Sequence, residues 1–297
     1  IKIRVRGGGS ITQDNSPLYI VDGFPVEDIT DIAPSDIESI DVLKDASTTA
    51  IYGARGANGV ILVTTRTGHE GKAIVKLNTY YGVRQVTKFL DVLNPYEFVF
   101  WQYEARKGEP SGNYGVFGDY DLYHEIPGTN WQKEVFGNIG TSLYNNLSVS
   151  GGSKDVKYNV SLTRNDDKDI MIDTRYNQTN LTSNTSFTVN DHLSFNLNVR
   201  LSDYDLQGGR QGSLMTFLQY RPTNGINDFI DIDAADLEDE MDLAMLNDPI
   251  TQARGSFRHR KRQNFSYNSA MNITFLKDFV YQLEFGQQYQ KNLTEAY

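Results

Sequence analysis

The amino-acid sequence predicts a transmembrane antiparallel β-barrel, represented by about seven strands, that follows a small α/β unit. Three observations lead to this fold class. Seven segments after residue 70 alternate apolar with polar residues, the period of strands whose two faces meet different surroundings. The links between these segments are short and long in strict turn, and aromatic residues collect near both ends of the segments. Outer-membrane barrels combine all three features.

Residues 1–70 are expected to form the small α/β unit. Four runs rich in β-branched or aromatic residues predict strands, and they read "IKIRVR", "PLYIVDG", "SIDVL" and "VILVTTR". Because the chain opens inside the first of these runs, we expect its natural N-terminus to lie further upstream.

Two short helices are expected between these strands. Ser35, followed three residues later by Glu38, forms a capping box, which predicts a helix that begins near Asp36. Asp45 can accept the first free amides of a second helix, "ASTTAIY", and Gly53 can end that helix.

Residues 71–297 carry the alternating segments and are expected to be the N-terminal part of the barrel. The segments fall at about 75–83, 143–150, 156–163, 179–189, 193–202, 265–275 and 279–285. One face of each is apolar and the other is rich in Asn, Ser, Thr and Lys, as a wet lumen requires. A soluble β-sandwich is the alternative interpretation of such strands.

The links between the segments favour the barrel over the sandwich. Three links are short, "GGSKD", "ND" and "KD", and three are long, at about 87–140, 165–177 and 204–261. Outer-membrane barrels have short periplasmic turns and long extracellular loops, whereas a sandwich has no reason to sort its loops in this way. We therefore expect the long links to be extracellular.

Aromatic residues are expected to form two girdles at the membrane surfaces. Those near the short turns are Phe187, Phe195, Phe275, Phe279 and Tyr281, and those near the long links are Tyr144, Phe265, Tyr267 and Tyr289. An open sheet cannot span lipid, because its edges would leave backbone groups unpaired in hydrocarbon. We therefore expect the remainder of the barrel to come from sequence beyond this chain or from another chain.

Composition excludes several other classes of protein. With 38 acidic and 28 basic residues the net charge is −10, which argues against a nucleic-acid surface. The absence of cysteine excludes disulfides, Cys-type zinc sites and thiol nucleophiles. The one short basic cluster, "RHRKR" at 258–262, is expected to be a solvated loop.

Three glycines at a spacing of three, Gly53, Gly56 and Gly59, invite comparison with a phosphate-binding loop. A P-loop runs from strand to loop to helix and ends in Gly-Lys-Ser/Thr. Here the predicted order is helix, loop, strand, and neither Lys nor Ser or Thr follows Gly59. The glycines are therefore interpreted as structural, allowing a tight bend and close packing.

No catalytic set is found, and we expect neither enzyme activity nor a cofactor. Asp191, His192 and Ser194 adjoin a tight turn, where turn capping is a better explanation than a catalytic triad. The acidic stretch 227–242 has oxygen ligands for calcium but lacks the glycine and the spacing of an EF-hand, so calcium binding there stays open.

A further helix is predicted inside the first long link. Asn94 is its cap, Pro95 takes the first helical position and Glu97 completes a capping box. Its aromatic residues can pack against the protein or stack on a ligand, and they are Phe98, Trp101 and Tyr103.

Three stretches resemble one known family. "PLYIVDGFPVEDI" and "PSDIESIDVLKDASTTAIYGARGANGVILVTT" are similar to the second half of the plug domain of SusC/RagA-type TonB-dependent outer-membrane transporters. "NNLSVSGGSKDVKYNVSL" resembles their early barrel strands. The resemblance covers most of residues 1–205.

The resemblance implies active import of oligosaccharides or peptides across the outer membrane of a Gram-negative bacterium. It implies a barrel of about 22 strands, set in outer-membrane lipid, with the plug in its lumen. A SusD-like surface lipoprotein would cap the barrel, and TonB would pull on a segment upstream of Ile1. A ferric-siderophore or cobalamin receptor, and a barrel enzyme or adhesin, are the alternatives.

The resemblance also suggests which residues matter. The loops that follow the "RVR" strand and the "VDG" turn would point outward, so Gln13, Asp14 and Asn15 are hypothesised to contact cargo. Asp45 and the three glycines are assigned to the structure of the plug. Arg55 is hypothesised to pair with a carboxylate of the wall or the plug and so to hold the plug releasably.

Overall fold

The computed structural model describes residues 16–45, 50–105, 120–209, 214–223, 249–255, 257–275 and 279–296. Two sheets make up the fold. A four-stranded sheet, here called the small sheet, is followed by a seven-stranded sheet, here called the large sheet. Three predictions fall outside the described residues. They are the first strand "IKIRVR", the cargo contacts at residues 13–15 and the possible calcium site at 227–242.

The small sheet has the strand order β2-β1-β4-β3. Its strands are β1 (Leu18–Val21), β2 (Phe24–Val26), β3 (Ile37–Leu43) and β4 (Val60–Thr65). The turn between β1 and β2 places Asp22 and Gly23 at positive φ, 50° and 89°, as a tight two-residue hairpin requires. A compact apolar core, formed by Val21, Val26, Ile32, Ile61 and Val63, joins the strands.

The helix predicted near Asp36 was wrong. Pro34–Asp36 form a single 3₁₀ turn whose cap residue makes no side-chain capping bond, and β3 begins at the next residue. Pairing of β3 with β4 outweighs the local capping signal. The Ser35 hydroxyl instead accepts a hydrogen bond from the Tyr144 hydroxyl at 2.7 Å.

The second predicted helix is also different from the expectation. Ala50–Gly56 form 3₁₀ turns, and Gly53 interrupts them at φ 59° and ψ −148°. Gly53 therefore ends the first turn as expected, but a second turn continues to Gly56. Residues 46–49 lie outside the described part of the chain.

The large sheet confirms the seven predicted strands. Its strands pair antiparallel with their sequence neighbours, and they are β5 (Gly71–Arg84), β6 (Gly140–Gly152), β7 (Val156–Lys168), β8 (Arg175–Asn190), β9 (Leu193–Gly209), β10 (Phe257–Phe275) and β11 (Phe279–Ala296). The strands are longer than the alternation predicted.

These longer strands correct two expectations. The link predicted at 165–177 contains only residues 169–174, because β7 and β8 stay paired as far as Lys168 and Arg175. The basic cluster 258–262 is not a loop, because it lies inside β10 and pairs with both β9 and β11.

The two remaining long links carry short helices, α1 (Pro95–Ala105), α2 (Trp131–Phe136), α3 (Leu214–Gln219) and α4 (Pro249–Gly255). The capping box of α1 is confirmed, since the Glu97 amide donates to Asn94 Oδ1 at 2.8 Å and Glu97 Oε2 accepts from the Asn94 amide at 3.0 Å. All three links meet in a second apolar core, formed by Trp131, Val135, Met171, Phe217 and Ala253.

The two faces of the large sheet differ in chemistry, as the alternation predicted. Apolar side chains on one face are exposed, including Leu77, Leu147, Leu162, Leu181, Leu201 and Phe265. The other face is polar and packs against the small sheet. Tyr144 corrects the predicted girdle, because its hydroxyl reaches Ser35 of the small sheet. None of the described helices is long and apolar enough to cross a membrane.

Candidate functional site at the interface between the two sheets

The interface between the sheets is built almost entirely from polar side chains. Strand alternation turns every second residue of β6 to β10 toward the small sheet, and most of those residues carry amides or hydroxyls, with the guanidinium groups of Arg200 and Arg262 among them. The buried members are Asn146, Asn159, Ser161, Thr163, Asn180, Thr182, Asn184, Arg200, Ser202, Asn264 and Ser266. Such a face holds a neighbour by hydrogen bonds and charge, with little apolar burial.

The first set of contacts joins the loop after β2 to the large sheet. Arg262 in β10 donates through Nη1 to Asp28 Oδ2 at 3.1 Å and through Nη2 to Thr30 Oγ1 at 2.8 Å. Gln178 in β8 donates to the Thr30 carbonyl at 3.0 Å. The Arg262 guanidinium also lies 5.5 Å from the centre of the Tyr204 ring, within reach of a cation–π contact. We call Asp28, Thr30 and Arg262 the loop latch.

The pKa values of two carboxyl groups in this loop are shifted in opposite directions, that of Asp28 downward and that of Asp31 upward. Burial acts to raise the pKa of Asp28, but hydrogen bonds from Thr30 and Arg262 outweigh it and hold the pKa below its ordinary value. Burial raises the pKa of Asp31, and the charge of nearby Arg200 and a bond from Asn264 only partly oppose it. The loop therefore combines a firmly ionised carboxylate with one that is costly to ionise.

A second set of contacts surrounds the end of β4. The Asp22 carboxylate accepts from the Thr65 amide at 2.8 Å and the Thr65 hydroxyl at 2.7 Å, which ties the first turn to β4. Asn184 of β8 donates to Thr65 Oγ1 at 2.8 Å and to the Arg66 carbonyl at 2.7 Å. Asn159 of β7 donates to the same Arg66 carbonyl at 2.9 Å. Backbone acceptors at the end of the small sheet are thus satisfied by the large sheet.

One close approach fixes the small sheet against β11. The Phe24 ring lies over Gly286, where an added Cβ would come within 2.2 Å of a ring carbon. Only glycine leaves this space, so the pairing is a steric requirement rather than a preference.

The predicted site residues lie in different surroundings. Asp45 is exposed just beyond β3, while Gly56 and Gly59 are buried. The φ of Gly59 is 97°, a conformation that glycine adopts without strain. Arg55 is exposed and makes no ion pair within the described part of the chain. It lines an open recess of about 810 Å³ with Glu27.

Sequence reasoning missed Asp28, Asp31, Arg200 and Arg262. A signal was present for Arg200, because it stands at a polar-face position of β9 among neutral amides and hydroxyls. Arg262 gave no such signal, because it shares its face of β10 with the other arginines of the basic cluster 258–262. A charge on a face that is otherwise neutral indicates an opposite charge on the packed element. The partner cannot be read from the alternation.

A second cavity lies among the long links, away from the sheet interface. Its volume is about 990 Å³, and Phe98, Trp101, Gln102 and Trp131 are among its lining residues. The Trp101 side chain is 58% exposed, whereas Trp131 is held by a bond from its indole N–H to the Arg221 carbonyl at 2.9 Å. Trp101 is therefore not packed into the protein within the described residues, while Trp131 is.

Comparisons with known proteins agree with this architecture. The family described as the TonB-dependent receptor plug domain matches residues 1–60. TonB-dependent receptor P3 of Formosa agariphila is 37% identical over 199 residues, 67% of this chain and 18% of that protein. TonB-dependent receptor SusC of Bacteroides thetaiotaomicron is 32% identical over 210 residues, 67% of this chain and 20% of that protein. The chain thus spans about a fifth of the length of these relatives, which are receptors and not enzymes.

Solved structures share the fold. The RagAB peptide importer in its closed-closed state matches 99% of this chain and 36% of its own chain, with a TM-score of 0.77 at 20% identity. The siderophore receptor PirA of Acinetobacter baumannii matches 94% of this chain and 32% of its own, with a TM-score of 0.50 at 13% identity. Both likenesses concern the fold alone.

Proposed function

We propose, from the premise that this chain belongs to the SusC/RagA-type TonB-dependent transporters, that the whole protein actively imports a nutrient across the outer membrane. In this proposal residues 1–70 are the C-terminal part of the plug. Residues 71–297 are the first strands of the barrel wall, with the long links on the extracellular side. The lipid-facing surface is the exposed apolar face of the large sheet.

The observation that carries the proposal is the polar interface between the sheets. A plug that opens a path must separate from the wall and return, and a large apolar interface would make separation costly. Each neutral hydrogen bond contributes only about 0.5–1.5 kcal/mol net, because water replaces the lost partner. The loop latch and the amide contacts at Arg66 therefore hold the plug firmly in sum, yet each can be exchanged for water.

Partners and cargo follow from the same premise. A SusD-like lipoprotein would cover the extracellular end, and TonB would supply force through a segment outside this chain. The cargo would be an oligosaccharide or a peptide, and a similar structure is that of a peptide importer. Gln13, Asp14 and Asn15 are proposed to contact it from the plug, and exposed Trp101 from the first long link.

Growth and uptake by a deletion strain test this function. The strain would be complemented with the full-length gene and supplied in parallel with an oligosaccharide mixture, a peptide mixture or limiting iron. We expect loss of growth on one oligosaccharide or peptide source, uptake that stops when a protonophore collapses the proton gradient, and co-purification of a SusD-like lipoprotein. A defect confined to limiting iron would instead identify a siderophore receptor. Unchanged growth with loss of a hydrolytic activity would overturn the import proposal.

A further inference from the structure

The cavity of about 990 Å³ among the long links, here called the link cavity, is large enough to hold a ligand. Sites for small molecules usually have volumes of about 300–1,000 Å³. Its walls come from two of the long links, namely residues 90–93, helix α1, residues 129–132 and residues 217–222. Because these links are extracellular in the proposed orientation, cargo would meet the link cavity before it meets the plug.

Hydrogen bonds fix the walls of the link cavity. The Gln132 side-chain amide accepts from the Leu90 N–H at 3.1 Å and donates to the Leu90 carbonyl at 2.9 Å, which holds the segment before α1. The Thr129 N–H donates to the Pro222 carbonyl at 3.0 Å, which joins the first long link to the third. A ligand would therefore enter a site whose walls are already in place, so that little ordering opposes binding.

Trp101 supplies an aromatic surface at the link cavity. It lines the cavity from α1 and is 58% exposed, whereas Phe98, one turn earlier on the same helix, is half-buried. An indole ring is a broad apolar surface with a negative face, so it attracts the polarised C–H groups of a sugar ring as well as cations. Trp101 by itself therefore fits either a sugar or a basic side chain.

The link cavity also carries side-chain groups that can bind hydroxyl groups. Asp91, Gln102 and Thr129 line it, and their side chains have no hydrogen-bond partner within the described part of the chain. Glu97 lies four residues before Trp101, so the two side chains are neighbours on α1, and the capping box uses only its Oε2. Carboxylates accept hydrogen bonds, while amides and hydroxyls both donate and accept. This mixture matches sugar hydroxyl groups, which also do both.

Charge restricts the ligand further. Asp91 and Glu97 line the link cavity, and no Lys, Arg or His does so among the described residues. A cargo with carboxylate or sulfate groups would be repelled here, because no cation on this wall compensates its charge. The link cavity therefore suits an uncharged or a positively charged cargo.

A peptide fits the link cavity less well than a sugar does. Proteins commonly bind extended peptides by pairing with the peptide backbone through free N–H and C=O groups of their own. At the link cavity the N–H and C=O groups of Leu90 are both taken by Gln132. The free hydrogen-bonding groups identified here are those of side chains, which suit hydroxyl groups better than a peptide backbone.

From this combination we propose that the link cavity is an outer subsite for an uncharged oligosaccharide. A sugar ring lies on Trp101, and its hydroxyl groups bond to Asp91, Gln102 and Glu97 Oε1. This inference rests on the proposed function and narrows its cargo from an oligosaccharide or a peptide to an uncharged oligosaccharide. The subsite would select cargo in the links, before the plug is reached.

Binding of oligosaccharide probes to the full-length transporter in detergent tests the proposal. The probes are an array of uncharged oligosaccharides that differ in sugar and linkage, oligosaccharides of the same length that carry uronate or sulfate groups, and short peptides rich in lysine or arginine. We expect an uncharged oligosaccharide to bind. Trp101→Ala should weaken that binding at least about tenfold, as is usual when a central aromatic contact is removed, while Trp101→Phe should retain most of it.

Leu122→Ala is the matched control. Leu122 is a 72% exposed apolar residue of the same long link and does not line the link cavity, so its loss should leave affinity unchanged. Because Trp101 is exposed, Trp101→Ala should keep the melting temperature of the unmodified protein, which shows that the lost affinity reports a contact and not unfolding.

Several results would overturn the proposal. They are binding confined to the charged oligosaccharides or to the peptides, binding of no probe, equal affinity in Trp101→Ala and unmodified protein, and equal loss in Leu122→Ala. The deletion strain separates this inference from the proposed function. Gene-dependent import of a peptide would overturn the subsite and leave import intact, whereas growth and uptake that do not depend on the gene would count against the proposed function itself.

Discussion

Replacing Arg262 with methionine tests whether the loop latch holds the plug against the wall. Methionine keeps most of the length and apolar stem of arginine but removes the guanidinium. That change removes the donors to Asp28 Oδ2 at 3.1 Å and to Thr30 Oγ1 at 2.8 Å, together with the cation–π contact to Tyr204.

The structure sets the size of the effect. A hydrogen bond to a charged group contributes about 1.5–3 kcal/mol when buried. The Arg262 and Asp28 side chains are 25% and 43% exposed, so solvent screens part of the attraction and the ion pair counts toward the low end. We expect the loop after β2 to lose about 2 kcal/mol of protection against local opening, which is roughly a 30-fold change in its opening equilibrium.

Hydrogen exchange of the full-length transporter in detergent measures this change. The reporting amides are those of Thr30, which donates to Asp28 Oδ1, and of Ile32, which donates to the Ile29 carbonyl. Both should exchange about 30-fold faster in Arg262→Met, while amides of β4 keep their rates, because local opening leaves the small-sheet core intact.

Arg260→Met is the matched control, since Arg260 lies two residues away in β10 and makes no ion pair with the described part of the chain. A change below threefold in Arg262→Met, or an equal change in Arg260→Met, would refute the reasoning. Adding Asp28→Asn completes a double-mutant cycle, and strong coupling between the two substitutions is expected.

Three further predictions concern other parts of the chain. Because burial raises the folded pKa of Asp31, docking of its loop should weaken as pH rises from the ordinary aspartate range through that raised pKa; Asp31→Asn should flatten this dependence in exchange rates measured from pH 4 to 7, and an unchanged slope would contradict it. Gly286→Ala drives a methyl group into Phe24 and should cost about 1–3 kcal/mol, seen as a lower melting temperature that Phe24→Leu partly restores. Glu97→Ala removes the acceptor of the Asn94 amide from the capping box of α1 and should cost about 1 kcal/mol, read from faster exchange of the first-turn amides of α1, with the amides of α2 as the unaffected reference.

The strands could be predicted from the alternation of apolar and polar residues, because that alternation is visible within each strand by itself. Strand ends were not predictable in this way. Arg258 to Arg262 break the alternation, yet they stay in β10 because β9 and β11 on both sides supply backbone partners. Ser35 shows the same limit, since its capping box lost to the pairing of β3 with β4.

The site depends on contacts that no local pattern encodes. Asp28 and Arg262 are 234 residues apart in sequence, and Thr65 and Asn184 are 119 residues apart. The sequence shows that each belongs to a polar face or a loop, but docking of one sheet on the other decides which atoms meet. Arg55 shows the opposite case: an ion pair was hypothesised from the sequence, but Arg55 makes none with the described part of the chain.

In the proposed orientation, with the long links outside the cell, the length of β10 has a consequence for the shape of the extracellular end of the barrel. Its 19 residues, at about 3.4 Å each and tilted by roughly 40°, rise about 50 Å along the barrel axis. The apolar band of such barrels is only about 25 Å tall, which the outward residues from Phe265 to Phe275 fill. The part of β10 before Phe265, which contains the basic cluster 258–262, would therefore extend about 20 Å beyond the membrane into water while still paired with β9 and β11. A rigid collar of this kind would keep the entrance upright and would make charge on that stretch of strand inexpensive.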